Sequence, residues 1–165
     1  MKKRALFASL LVAGIFASAP LGAATWEVHG NICQPDSVDV ANVLYSNTGI
    51  FNQSTSASVK VHCPIDFNSV LHTGLNSTTI SVRYVDRASS GDVSCTLFIN
   101  LSDGSPMMTS TKTSTSSSSA TQIFSWDVSG EVGGNRQIVI QCTVPKASSA
   151  SMRSGIRGIT LATNA

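Results

Sequence analysis

At 165 residues, with 11 Lys and Arg against 9 Asp and Glu, the chain is long enough for one ordinary domain and too evenly charged to hold nucleic acid or an anionic membrane by electrostatics. The formal charge of +2 depends on Lys2, Lys3 and Arg4 at the extreme N-terminus; discounting them leaves a slightly negative balance. All four cysteines lie beyond that end.

Lys2, Lys3 and Arg4 are followed by an apolar stretch from Ala5 to Ala17 that is too short to span a bilayer comfortably. Small residues close the segment, with Gly22 and Ala24 placed for a cut before Thr25; a cut after Ala19 is the alternative. Residues 1–24 therefore read as a signal peptide. Residues 25–165, about 140 residues, read as a single domain. No membrane insertion of this mature part is expected, and its location is secreted or periplasmic.

Cys33, Cys63, Cys95 and Cys142 all fall in the mature part and read as two disulfides. They stand tens of residues apart, whereas structural zinc draws on close pairs, so no metal or other cofactor is expected. Four cysteines permit three pairings, and sequence alone does not choose. Cys33 with Cys63 and Cys95 with Cys142 is favoured, because Cys95 and Cys142 sit in similar alternating runs that could face each other. Each bridge would contribute about 3 to 4 kcal/mol by constraining the unfolded chain.

In chain order the alternating or β-branched runs are Val38 to Tyr45, Ala57 to His62, Thr79 to Val85, Val93 to Leu101, Ile123 to Val128, Gln137 to Val144 and Ile156 to Ala162. No helical spacing persists for three turns. The fold class is therefore all-β: one antiparallel β-sandwich of about seven strands, jelly-roll or immunoglobulin-like, with two disulfides. In Thr79 to Val85, Ile80, Val82 and Tyr84 point one way and Thr79, Ser81 and Arg83 the other, the mark of a half-buried strand. Val93, Cys95, Leu97, Ile99 and Leu101 form the longest stripe, which favours a bridge between sheets at Cys95. Breakers at Ser46 to Gly49, Ser89 to Asp92 and Ser102 to Pro106 end strands. Gly133-Gly134-Asn135 predicts a hairpin turn between Ile123 to Val128 and Gln137 to Val144. The Ser/Thr-rich stretch 109–121 reads as a loop, with an exposed edge strand as the alternative. Lys146 to Ser154 is a second polar connector.

The reactive constellations of enzymes are hard to find. Serines are so abundant that a Ser, a His and an acid are present by chance, no G-x-S-x-G elbow occurs, and the cysteines are better read as bridges than as nucleophiles. The protein is expected not to be an enzyme. His29 and His62 lie near the first cysteine pair and could approach each other, but neither has a carboxylate at ligand-like spacing; they and His72 read as surface histidines. Asp36 with Asp39, and Asp86 with Asp92, could feed a calcium site, yet no D-x-D-x-D-G loop is present and turn-forming is the better reading. Of the two tryptophans, Trp126 alternates with Phe124 and Val128 and belongs in the core. Trp26 is the candidate ligand contact, as an exposed ring able to stack on a sugar.

His29-Gly30-Asn31-Ile32-Cys33, Tyr45, Gly49-Ile50-Phe51-Asn52, Val61-His62-Cys63-Pro64, Val85-Asp86-Arg87, Val93-Ser94-Cys95 and Cys142-Thr143-Val144-Pro145 together resemble small exported bacterial four-cysteine proteins of unassigned function. The resemblance spans most of the mature chain. It implies a periplasmic or extracellular β-domain and transfers no catalytic or binding residue.

The function expected from these features is a secreted, non-enzymatic binding or surface-structural domain with a glycan or protein partner. A carbohydrate-binding module is one alternative. A self-assembling pilin-like or coat subunit is the other, although such subunits tend to end on an aromatic residue and this chain ends Thr160-Leu161-Ala162-Thr163-Asn164-Ala165. Intact-mass analysis of the protein exported by its host should show loss of residues 1–24 and four thiols that appear only after reduction. Free thiols before reduction, or a retained N-terminal segment, would contradict the reading.

Overall fold

The structure, a computed structural model, describes residues 25–65, 77–115, 117–129 and 136–163. The signal segment, His72 and the turn Gly133-Gly134-Asn135 lie outside the described residues.

Two antiparallel sheets face each other. The first holds β3 (Val43–Ser46), β4 (Gly49–Asn52), β11 (Gly155–Thr163), β6 (Ser77–Asp86) and β9 (Ser118–Asp127) in that order, and β1 (Thr25–His29) pairs with β11 beyond the reach of β4. The second runs β2 (Gln34–Pro35), β5 (Val59–Ile65), β10 (Gln137–Val144), β7 (Ser94–Asn100) and β8 (Pro106–Thr113). Among the described strands only β3–β4 and β7–β8 are sequential hairpins. Elsewhere the chain passes from one sheet to the other, as in a jelly roll.

Alternation drives this packing. Ile80, Val82 and Tyr84 on β6, with Ile159 and Leu161 on β11, are buried against Leu97 and Ile99 on β7 and Ile138 and Ile140 on β10. Burying each such side chain is worth about 1.5 to 3 kcal/mol. Tyr84 stacks on Phe124 with ring centroids 4.1 Å apart, and Phe124 meets Trp126 edge-on. Burial and the neighbouring Asp86 push the Tyr84 phenol above its usual pKa, and its hydroxyl donates to Gln122 Oε1 at 3.0 Å.

The disulfides are Cys33–Cys63 and Cys95–Cys142, as the pairing expected. The second, however, does not join the sheets. Cys95 and Cys142 are directly opposed on the neighbouring strands β7 and β10, with Cα atoms 4.0 Å apart. Both side chains point inward, so an inward stripe could not distinguish a cross-strand bridge from an inter-sheet one. Leu101 also leaves that stripe and is 40% exposed, past the end of β7.

Three further expectations are corrected. Ile123 to Val128 and Gln137 to Val144 do not form a hairpin: β9 pairs with β6, and β10 with β5 and β7. Their apolar faces meet across the core, and alternation alone does not say which strand pairs with which. The stretch 109–121 is not a loop but the end of β8 and the start of β9, the edge strands on one side of the sandwich. Thr suits a strand, and an edge beside water needs little apolar periodicity. Val38 to Tyr45 is a strand only from Val43. Val38 is 82% exposed, and Val40–Asn42 forms one helical turn after Asp39, whose Oδ2 accepts the Lys60 N–H at 2.9 Å. Strands β1, β2 and β4 went unread. Gly49 opens β4 at φ +140°, and a Cβ there would meet the Ile156 carbonyl oxygen.

The buried polar residues Asn52, Asp86, Ser114 and Ser154 pin one end of the sandwich. Asp86 Oδ2 accepts from Ser114 Oγ at 2.5 Å and the Val93 N–H at 3.3 Å; Oδ1 accepts from Ser154 Oγ at 3.0 Å and the Ala88 N–H at 3.2 Å. Asn52 Nδ2 donates to the Val144 and Pro145 carbonyls. Strand ends of both sheets are thus held by two side chains. Asp86→Ala would leave the buried Ser114 and Ser154 hydroxyls without their carboxylate acceptor, and is expected to lower unfolding free energy by more than about 3 kcal/mol. Thr79→Ala should stay within about 0.5 kcal/mol. Urea unfolding of both variants measures the difference, and equal midpoints would contradict it.

Candidate functional site

The outward positions of the first sheet carry its chemistry. Successive residues alternate faces, so burying Trp26 and Val28 on β1 turns Glu27 and His29 outward. Burying Val82 turns out Arg83, and burying Phe124 turns out Thr121 and Ile123. At the irregularity between Ile156 and Gly158, β11 adds Arg157.

These residues enclose a cleft of about 220 Å³ lined by His29, Asn47, Thr48, Arg83, Thr121 and Arg157. Arg157 Nη1 donates to Thr121 Oγ1 at 2.8 Å, and Arg83 pairs with Glu27. The Arg83 guanidinium lies over Gly158: a Cβ there would stand 2.8 Å from Nη2 and 3.0 Å from the Val28 carbonyl oxygen. Glycine thus leaves the cationic head close to the sheet. A second cleft of about 360 Å³ opens further along the same strands, where Arg87 leaves β6 and Ser118 begins β9. It is lined by Arg87, Ser117, Ser118, Ser119, Ser151 and Met152. Most of the lining residues of both carry a hydroxyl or a guanidinium group.

Trp26, expected as an exposed stacking ring, faces inward opposite Leu161 and packs half-buried against the core. The reason is parity on β1, which gives the outer face to its neighbours. His29 and His62 do not meet. His29 lines the first cleft on one sheet, whereas His62 on β5 of the other sheet bonds Asp36 Oδ1 at 2.6 Å. Asp36 and Asp39 hold the turn after β2, and Asp86 is a buried acceptor, so neither proposed acidic pair forms a cation cage. Among the described residues no cluster of three or more His, Cys, Asp or Glu could hold a metal ion. The four cysteines are fully buried in their bridges, which befit an oxidising, non-cytoplasmic compartment. No helix among the described residues is long and apolar enough to cross a membrane.

Arg83 was readable as outward-facing, but neither it nor Asn47, Thr48, Arg87, Thr121 and Arg157 was expected as a site residue. The available signal was the pair of four-residue spacings, Arg83 with Arg87 and Arg153 with Arg157, and only the pairing of β6 with β11 makes these neighbours.

No protein-family model matches the chain, and no curated protein does. Among solved structures the chain is similar to the "xylan-binding module CBM15", at a TM-score of 0.55 and 14% identity over 86% of this chain and 97% of that one. The likeness is one of fold. A "family 35 carbohydrate binding module from an environmental isolate" aligns at a TM-score of 0.39 and 14% identity over 88% of each chain. A structure of infectious bursal disease virus Gx strain aligns at 0.47 and 10% identity over 94% of this chain and 36% of that chain. What is shared with the first of these is the β-sandwich fold.

Because Gly158 leaves room for Arg83, Gly158→Ala should force the guanidinium and the β1 backbone apart and cost about 1 to 3 kcal/mol. Denaturant unfolding measures this. An unchanged midpoint would show that the head does not lie against the sheet.

Proposed function

We propose that the protein is an exported, non-catalytic glycan-binding module whose binding surface is the outer face of its first sheet. The observation that carries the reading is the cleft of His29, Asn47, Thr48, Arg83, Thr121 and Arg157, which gathers fixed donors and hydroxyls. Sugar hydroxyls both donate and accept, and such a lining meets both needs. Two observations add support. The fold is one on which a xylan-binding module is built. The cysteines are also all bridged, and His62 is engaged by Asp36 on the opposite sheet, away from the cleft.

The self-assembly alternative meets an obstacle at β8. Lys112 lies on that edge strand opposite the buried Cys95 and reaches over the Trp126 ring, 6.0 Å from its centroid. A charged residue directed to the inner side of an edge opposes strand addition by a neighbour.

Affinity electrophoresis in gels containing soluble xylan, β-glucan, galactomannan or polygalacturonate tests the glycan reading. Retarded migration in at least one, relieved by Thr121→Ala or Asn47→Ala, is expected. Unaltered mobility in all of them would contradict it.

A further inference from the structure

We infer that the ligand of this face is an acidic polysaccharide, held through its anionic groups by an arginine row that joins the two clefts. The inference rests on the glycan reading and adds a ligand chemistry to it.

The row follows from strand register. Arg83 and Arg87 are four residues apart along β6 and its exit, about 13 Å at an extended rise, which is room for more than one sugar ring. β11 runs antiparallel beside β6, with Gly158 opposite Arg83 and Gly155 opposite Val85, so Arg157 stands next to Arg83. Arg83 and Arg157 line the first cleft and Arg87 the second. A chain laid along β6 would meet a guanidinium in each.

Among the described residues Glu27 is the acid paired with the row, through Arg83, and Asp92 stands exposed in the segment that follows Arg87. Asp86, on the same strand, is buried and turned to Ser114 and Ser154. Asp36 and Asp39 attend β5 of the other sheet, Asp103 caps the β7–β8 turn, and Asp127 bonds Ser129 at the far end of β9. Arg83, Arg87 and Arg157 thus stand together on this face, while Asp36, Asp39 and Asp103 lie on the other sheet. Guanidinium presents a planar fork that suits a carboxylate or a sulfate ester, and neutral sugars alone would not call for three of them. Hydroxyls from Thr48, Thr121 and Ser117 to Ser119 are at hand for the sugar rings themselves.

The test is affinity electrophoresis of the purified protein in polygalacturonate, dextran sulfate and neutral xylan. It is applied to the parent chain, Arg157→Gln, Arg87→Gln and Lys60→Gln, the last altering an exposed cation of the other sheet; thermal unfolding confirms that each variant folds. The expected result is preferential binding of an anionic polymer. Either arginine change should weaken it about tenfold, Lys60→Gln should leave it unaltered, and raising salt from about 0.1 to 1 M should abolish it, since screening shortens from about 10 to 3 Å. Retention by polygalacturonate identifies uronate carboxylates, and retention by dextran sulfate alone identifies sulfate esters. Equal retention by neutral xylan, insensitive to salt and to both arginine changes, would overturn the inference while leaving the glycan reading intact. Equal weakening by Lys60→Gln would also overturn it, by showing diffuse charge attraction. Retention by none of the polymers would remove both.

Discussion

The Asp86 carboxylate is the interaction on which the rest of the structure depends. It ends β6 on one sheet and takes hydrogen bonds from Ser114, at the end of β8, and from the Val93 amide ahead of β7 on the other. A carboxylate out of reach of water is costly unless its lone pairs are filled, and here four donors converge on it. The same donors are shared onward: Ser154 Oγ accepts the Arg87 and Ala88 amides, and Ser114 Oγ accepts that of Val93. Asn52 repeats the logic one strand away, tying β4 to the carbonyls that follow β10. Apolar packing between two sheets resists separation but only weakly resists sliding. Directional polar contacts at one end set the offset at which the sheets meet.

That arrangement divides the labour between the sheets. Both disulfides brace the second sheet, joining β7 to β10 and the segment before β2 to β5. The first sheet has no bridge and is positioned by packing and by the polar network. Its outer face is left with arginines, hydroxyls and glycines in place of staples. Gly30, Gly155 and Gly158 allow close approaches around β11 that any Cβ would obstruct. The open side between β8 and β9 is covered by Lys112 over Trp126, a contact worth about 0.5 to 2 kcal/mol. The result is a domain closed along this edge and equipped on one broad face.

Legibility in the sequence followed the physics of alternation. Strands β5, β6, β7, β10 and β11 were readable because they lie inside their sheets and bury one face, as Val59 and Val61 or Ile80 and Val82 show. Edge strands were less legible: β8 places Ser110 and Lys112 on its inner side, and the first half of β9 is Ser, Ala and Thr. The cysteine pairing could be inferred from like-patterned runs, but its geometry could not, since a stripe tells which way a side chain points and not which strand lies opposite. The same limit concealed the arginines. Arg83 was readable as outward-facing, yet its neighbourhood with Arg157 depends on pairing between strands some seventy residues apart. Trp26 misled because aromatic chemistry was weighed without the parity of a strand that had gone unread.

The most direct test of the central claim is amide chemical-shift mapping by NMR of the isotope-labelled protein during titration with oligogalacturonate. The account predicts that perturbations concentrate on Arg83, Arg87, Thr121 and Arg157 and on the β1 residues Glu27 and His29, with β5 and β10 silent. Perturbations centred on the second sheet or along the β8 edge would contradict it, and would move the working surface away from the face that the buried Asp86 network leaves free.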